Sequence, residues 1–329
     1  MTRPASAVAH PNSPAVIPSS AAGAEQPDWR SIGIFFAVAL AGLTAASLPF
    51  WFLEGGISHP LYVWLIALGM CSPALGTVVA VADARRRGRA ERWRDAVGLR
   101  FRGRWRAIIV WSVVGVLTVS AITFAGAAVM VLRGVPGDLT FQHFLQTTTA
   151  AAQEAGAAIP PAAMLAIVLG AVAVNILLSA IPALGEEVGW RGWLHRQLLS
   201  LGSWTAIGVG GTIWALWHLP ILLLGHNYPG APRPYAIGMF IVFCCAANYM
   251  LVAITERAGG NPIPAALTHS ALNVTFAQFT IMVSVPQTAE HASWWFDGVT
   301  GVVGIVLLTL AGLVLMPRAQ RTAASTGAV

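Results

Sequence analysis

Ionisable side chains interrupt several long apolar stretches of this 329-residue chain. Glu186 and Glu187 directly follow the apolar run 165–184, and Arg191 comes one helical turn after Glu187. His218 and His269 lie inside two further apolar runs. Because an ionisable group within a membrane segment is costly, such residues are functional candidates by default. The four-residue interval also lets Glu187 and Arg191 pair on one helix face.

Helical spacing adds two more polar or aromatic groups to these candidates. His269 and Asn273 are four residues apart, and so are Trp214 and His218. Residues at this interval lie one above the other on the same face of a helix. We therefore expect an imidazole and an amide on one helix, and an indole and an imidazole on another.

The depths of the candidates in a membrane can be compared from sequence distances. Glu186 lies 15 residues before Leu201, and His218 lies 17 residues after it. In an antiparallel hairpin that rises ~1.5 Å per residue, these positions stand at nearly the same level. His269 enters from the same side of the membrane, a few residues after the preceding connection. The spacing predicts that the three side chains converge in the cytoplasmic half of the bilayer.

Two kinds of chemistry suit such a cluster. A carboxylate and an imidazole that share a water can act as a general base, and a second histidine with an amide donor can stabilise an oxyanion. Together they would hydrolyse an amide bond inside a membrane. Alternatively, Glu186, His218 and His269 form a plausible zinc set. The non-enzymatic interpretation is that these polar groups only join helices through hydrogen bonds.

The composition excludes most other classes of protein. Hydrophobic residues make up 56% of the chain and charged residues only 10%, whereas soluble domains carry roughly 25% charged residues. A soluble enzyme, a disordered protein and a nucleic-acid-binding domain are therefore excluded for the chain as a whole. The net charge of +6 comes from arginines that lie between apolar runs. We predict an all-α, polytopic transmembrane helical bundle that contacts membrane lipids and no nucleic acid.

About eight apolar segments are long enough, at ~20 residues each, to cross a bilayer. We predict residues 1–30 as a disordered tail because they are rich in Ala, Pro and Ser. Residues 31–317 form one transmembrane helical domain, and residues 318–329 a C-terminal tail. The predicted spans are 31–53, 60–82, 107–132, 162–185, 203–225, 235–255, 263–285 and 299–316.

The distribution of arginine predicts the orientation. With a cytoplasmic N-terminus, 17 of the 19 arginines fall on the cytoplasmic side, ten of them within residues 85–106. Only Arg133 and Arg233 fall on the opposite side. Since arginine and lysine are enriched in cytoplasmic connections, both termini are predicted to be cytoplasmic. A bacterial-type inner or plasma membrane is the predicted location.

Three short motifs resemble one family of membrane proteases. The segment Glu186-Glu187-Val-Gly-Trp-Arg191 resembles the EExxxR motif of the CPBP family, the CAAX-processing and bacteriocin-processing intramembrane proteases, also called ABI or Rce1-like. Trp214-x-x-x-His218 is similar to the second motif of that family, which usually begins with Phe. His269-x-x-x-Asn273 is similar to the third motif. The resemblance covers a core of about residues 160–285.

This resemblance implies a role for each matching residue. Glu186 and His218 would activate the attacking water, while His269 and Asn273 would form the oxyanion site. Glu187 and Arg191 would support that arrangement, and the large ring of Trp214 would keep the packing role of the usual Phe.

The resemblance also implies a reaction. We expect an intramembrane endopeptidase that cuts a peptide bond near the cytoplasmic membrane face, in a lipid-modified, membrane-anchored or bacteriocin-like substrate. No cofactor is required by a glutamate-dependent mechanism, which we favour because Asn273 is a poor zinc ligand; zinc is the alternative. The other functional hypothesis is a non-enzymatic membrane protein such as an immunity factor, a scaffold or a transport accessory.

Overall fold

The computed structural model describes residues 26–89 and 92–317, and these residues form an all-α bundle without a β-strand. This confirms the predicted fold class. Ten α-helices in the described ranges have eight or more residues: α1 (Trp29–Ser47), α2 (Tyr62–Gly69), α3 (Ser72–Arg86), α4 (Trp105–Leu132), α5 (Gln142–Glu154), α6 (Pro161–Glu187), α7 (Ser203–Trp217), α8 (Arg233–Arg257), α9 (Ile263–Val283) and α10 (Val302–Leu315).

The chain is a multi-pass membrane protein. Five helical stretches in the described ranges are long and apolar enough to cross a bilayer: Trp29–Trp51, Tyr62–Arg86, Trp105–Leu132, Pro161–Leu201 and Arg233–Arg257. The other three predicted spans are also helical, in α7, α9 and α10. Helices α7 and α10 are short, with 15 and 14 residues, and α9 carries polar side chains. The count of eight spans and the orientation of the termini stay predictions.

The N-terminal boundary of the bundle differs slightly from the predicted one. Helix α1 begins at Trp29, so the last two residues of the predicted tail 1–30 are helical. The cause is the carboxylate of Asp28, which accepts a hydrogen bond from the backbone N–H of Ser31 and so caps the helix. Most of that tail (1–25), and the predicted C-terminal tail 318–329, lie outside the described residues.

Helix α8 is the most buried of the five candidate spans. Helices α7, α9 and α10 pack against α8, while α9 also lies against α4 and α6. Helix α1 packs on α3 and α7. The carbonyl of Ala39 on α1 accepts hydrogen bonds from Ser72 Oγ at 2.8 Å and Trp217 Nε1 at 2.9 Å, which fix α1 to both neighbours.

Candidate active site

The C-terminal end of α6 changes into a π-helix over Val188–Leu194, and all seven of these residues are buried. Two glycines allow this segment to pack closely against neighbouring backbone. A Cβ at Gly189 would lie 2.6 Å from Pro73, and one at Gly192 would lie 2.6 Å from the carbonyl oxygen of Val97. The wide turn and the close packing fix the direction in which the two preceding glutamates point.

Glu187 connects three elements of the site. Its Oε1 accepts a hydrogen bond from Arg191 Nη1 at 2.8 Å and another from His269 Nδ1 at 2.9 Å. The Arg191 guanidinium also lies 4.1 Å from the centre of the Trp214 ring, so its charge is shared between a carboxylate and an aromatic face. The structure therefore confirms the predicted pairing of Glu187 with Arg191 and shows that Glu187 orients His269 as well.

Glu186 is held by two tryptophans. Its Oε2 accepts from Trp190 Nε1 at 3.2 Å and from Trp214 Nε1 at 2.8 Å, and the residue is only 2% exposed. Both indoles bind the same oxygen, so Oε1 is left for another partner. This carboxylate therefore faces the site with one oxygen fixed and one available.

His218 lies directly after the end of α7. Its Nδ1 is 2.8 Å from the carbonyl oxygen of Trp214. Because a carbonyl oxygen only accepts, Nδ1 carries the proton and Nε2 carries the lone pair in the neutral ring. The rings of Trp217 and Phe240 pack edge-on against the imidazole, with centroids 4.6 and 4.9 Å away. The His218 imidazole is thus a base with a defined tautomer, and aromatic rings pack against it.

One cavity of about 660 Å³, between α2, α6, α7, α8 and α9, contains the predicted catalytic groups. Glu186, His218, His269 and Asn273 all line it, and so does Trp214. Glu187 and Arg191 lie behind this wall and have fully buried side chains. The structure therefore brings together the side chains for which the sequence predicted a common depth, while their catalytic roles stay predictions.

Comparison with protein families agrees with this geometry. Residues 168–275 match the family model described as type II CAAX prenyl endopeptidase, Rce1-like. Over these residues the chain is similar to the Rce1-like family. The matched range contains all three motifs and lies within the predicted core 160–285. A search of curated proteins found no match. The chain is thus a multi-pass membrane protein, and one segment of it is similar to a family of membrane proteases.

Zinc is the alternative to the glutamate-dependent mechanism, with Glu186, His218 and His269 as its predicted ligands. Among the described residues, no three His, Cys, Asp or Glu side chains lie close enough together to hold a metal ion. One oxygen of Glu186 is bound by two indoles, and Nδ1 of His269 is bound by Glu187. The glutamate-dependent mechanism and the zinc alternative both stay predictions.

The hydrogen bonds that two tryptophans donate to Glu186 do not follow from the sequence analysis. Trp214 was predicted only to pack, and Trp190 was not predicted to have a role. The available signal was spacing, since Trp190 follows Glu186 by four residues just as Arg191 follows Glu187. Trp214 comes from another helix, so no local pattern could show that its N–H reaches Glu186.

Proposed function

We propose that this Rce1-like protein is an intramembrane endopeptidase in a bacterial-type plasma membrane, acting on a membrane-associated or lipid-modified peptide. The observation that carries the proposal is the shared cavity of Glu186, His218, His269 and Asn273. Residues that only join helices would be expected to satisfy one another. Here two imidazole nitrogens, a carboxylate oxygen and an amide are presented to a space that can hold a peptide.

The proposed first step is attack by water on the scissile carbonyl carbon. The free oxygen of Glu186 and Nε2 of His218 bind the water, and Glu186 takes one of its protons as the new C–O bond forms. The tetrahedral intermediate then collapses, the C–N bond breaks, and the same proton passes to the leaving amine. One water is consumed and two termini are made, so the protonation of Glu186 is restored.

The proposed oxyanion donors are Asn273 and His269. Nδ1 of His269 donates to Glu187, so its Nε2 can donate as well only when the ring is an imidazolium. Two carboxylates and one guanidinium surround this ring, and an imidazolium balances their charge. Donors that are fixed before reaction and aimed at developing charge contribute strongly to catalysis in sites that exclude water.

The test compares peptide termini in membranes from cells that produce wild type, Glu186→Gln or Glu290→Gln at matched levels. Glu290 is an exposed acid outside the cavity and serves as the control. We expect new termini with wild type and Glu290→Gln and none with Glu186→Gln. Identical termini in all three samples would overturn the proposed protease activity and favour an immunity or scaffold role.

The proposed mechanism also predicts the response to metal removal. We expect purified wild-type protein, after extensive chelation, to cleave a substrate found in this way at its original rate, because neither water activation nor the oxyanion site uses a metal. Loss of activity that added zinc restores would contradict the mechanism and leave the protease assignment intact.

A further inference from the structure

The cavity extends from the catalytic groups in one direction only. On α6 its lining residues run from Glu186 back to Ala171, which is about 22 Å of helix. On α9 they run from His269 forward to Ile281, about 18 Å. Because both series line the same cavity and both start at the catalytic groups, they lead to the same end of the bundle. The cavity is therefore a shaft with the catalytic groups at its inner end.

Beyond the catalytic groups the bundle is closed. The π-helix Val188–Leu194 is buried throughout. The ten consecutive residues 246–255 of α8 are also buried. At the other end of the shaft, Val63 is 70% and Ile281 57% exposed. A peptide can reach Glu186 through the shaft, whereas packed side chains fill the opposite end.

The closed end is the arginine-rich end. The guanidinium of Arg104 donates to the carbonyl of Gly259, and Arg196 donates to the carbonyl of Asp95. These contacts place the segment around residues 95–104 against the connections that follow α6 and α8. Because arginine-rich connections stay in the cytoplasm, the shaft opens toward the extracytoplasmic side.

The mouth of the shaft combines apolar walls with uncharged polar groups. Tyr62 Oη and His226 Nδ1 form a hydrogen bond of 3.1 Å. Burial lowers the pKa of His226 to about 4, so this ring is neutral at pH 7. Asn227, Gln278 and Thr300 are further polar residues of the lining. Such a mouth offers donors and acceptors to a peptide backbone without attracting a charged group.

We propose that the substrate is an apolar peptide segment of a membrane-inserted or exported protein, and that it approaches Glu186 from the extracytoplasmic side. The nature of the substrate rests on the proposed function, whereas the direction of approach rests on the shaft and the arginines. A lipid-modified tail presented from the cytoplasm would meet the closed end of the bundle.

The direction is tested with a charged, membrane-impermeant thiosulfonate and single substitutions in the full chain. The reagent is applied to intact cells or to inverted vesicles, and wild type measures any labelling of Cys71, Cys244 and Cys245. Gln278→Cys probes the shaft, and Arg94→Cys reports the arginine-rich end. We expect Gln278→Cys to be labelled in intact cells and Arg94→Cys only in inverted vesicles.

Labelling of Gln278→Cys only in inverted vesicles would overturn the proposed direction. The proposed direction would also be overturned if the thiol of Gln278→Cys were unreactive in both intact cells and inverted vesicles but became reactive on denaturation. Labelling of Arg94→Cys in intact cells would overturn it too, because the orientation would then be inverted.

The same reagent links the shaft to proteolysis. Unlabelled Gln278→Cys sets the reference level of the termini that depend on Glu186. Reagent added outside these cells should abolish those termini, and it should leave wild type unaffected. If Glu186→Gln does not change those termini, the proposed function fails even where the labelling supports the shaft. If the termini depend on Glu186 but survive complete labelling of Gln278→Cys, the substrate does not use the shaft.

Discussion

Two indole N–H groups on one oxygen of Glu186 restrict the carboxylate to one orientation. Trp190 is on the π-helix and Trp214 is on α7, so this arrangement exists only when the two segments are packed. A phenylalanine, which is usual in the second motif of the Rce1-like family, can fill the place of Trp214 but cannot donate. The carboxylate would then be held through Trp190 alone.

Replacing Trp214 by Phe tests this positioning role. A hydrogen bond to a charged group contributes about 1.5–3 kcal/mol, so we expect kcat to fall by at least ~10-fold with KM nearly unchanged. Trp204→Phe is the matched control, since Trp204 is 45% exposed and does not line the cavity. Equal kcat values for Trp214→Phe and wild type would show that the indole N–H does not orient Glu186.

Substitutions of the two adjacent glutamates should have different effects on stability and activity. Glu187→Gln leaves the Arg191 guanidinium without its carboxylate in a fully buried site. Breaking a buried pair costs about 3–5 kcal/mol, so we expect a clearly lower melting temperature in detergent together with lost activity. Glu186→Gln should lose activity at a nearly unchanged melting temperature. The reverse pattern would mean that the supporting and catalytic roles are exchanged.

At the scale of elements, the site depends on how closely the end of α6 approaches α3. A Cβ at Gly189 would meet the Pro73 ring at 2.6 Å and its backbone at 3.0 Å, and neither can move freely. Near Gly170, on the same helix, nothing lies within 4 Å of the added Cβ. The two glycines therefore differ in packing, although both lie in helical backbone.

Gly189→Ala and Gly170→Ala should consequently have opposite effects. Overpacking costs about 1–3 kcal/mol, so Gly189→Ala should lower the melting temperature and reduce kcat by displacing Glu186 and Glu187. Gly170→Ala should be neutral or slightly stabilising, since alanine is favoured over glycine in helices by about 0.5–1 kcal/mol. Full activity and stability in Gly189→Ala would show that this contact does not set the position of the glutamates.

The sequence predicted the helices well and their irregularities poorly. Each of the eight apolar segments is helical, because length and apolar composition decide where a helix can exist in a membrane. Three features were not predicted: the break between α2 and α3 inside the predicted span 60–82, the π-helix Val188–Leu194, and helix α5. These features depend on contacts between distant segments, such as the contact of Gly189 with Pro73. The hydrophobic periodicity of the sequence does not reveal such contacts.

At the scale of the whole molecule, charge is concentrated at the closed end, where ionic contacts join the helix ends. Asp28, before α1, accepts a hydrogen bond from Arg87 Nη2 at 2.7 Å, and Arg87 Nε donates to Asp83 at 2.8 Å. The cluster ties the start of α1 to the end of α3. It lies at the surface beside the packed half of the bundle, opposite the end where the shaft opens.

This cluster should limit the stability of the protein in acid. Burial alone would raise the pKa of Asp28, but hydrogen bonds from Arg87 and Ser31 outweigh it and lower the pKa to about 2, from an ordinary value of 3.8. Because the folded-state pKa is the lower one, the stabilisation is complete above pH 3.8 and is lost as the pH falls toward 2.

Unfolding of purified protein in detergent, followed between pH 5 and pH 2, measures this contribution. After allowance for solvent screening we expect Asp28 to contribute about 1 kcal/mol. Asp28→Asn should therefore be less stable than wild type at pH 5, and the difference should shrink toward pH 2. Glu290→Gln is the control, because this exposed acid lies outside the cluster. A difference between Asp28→Asn and wild type that stays constant down to pH 2 would show that packing or capping, and not the charge of Asp28, joins α1 to α3.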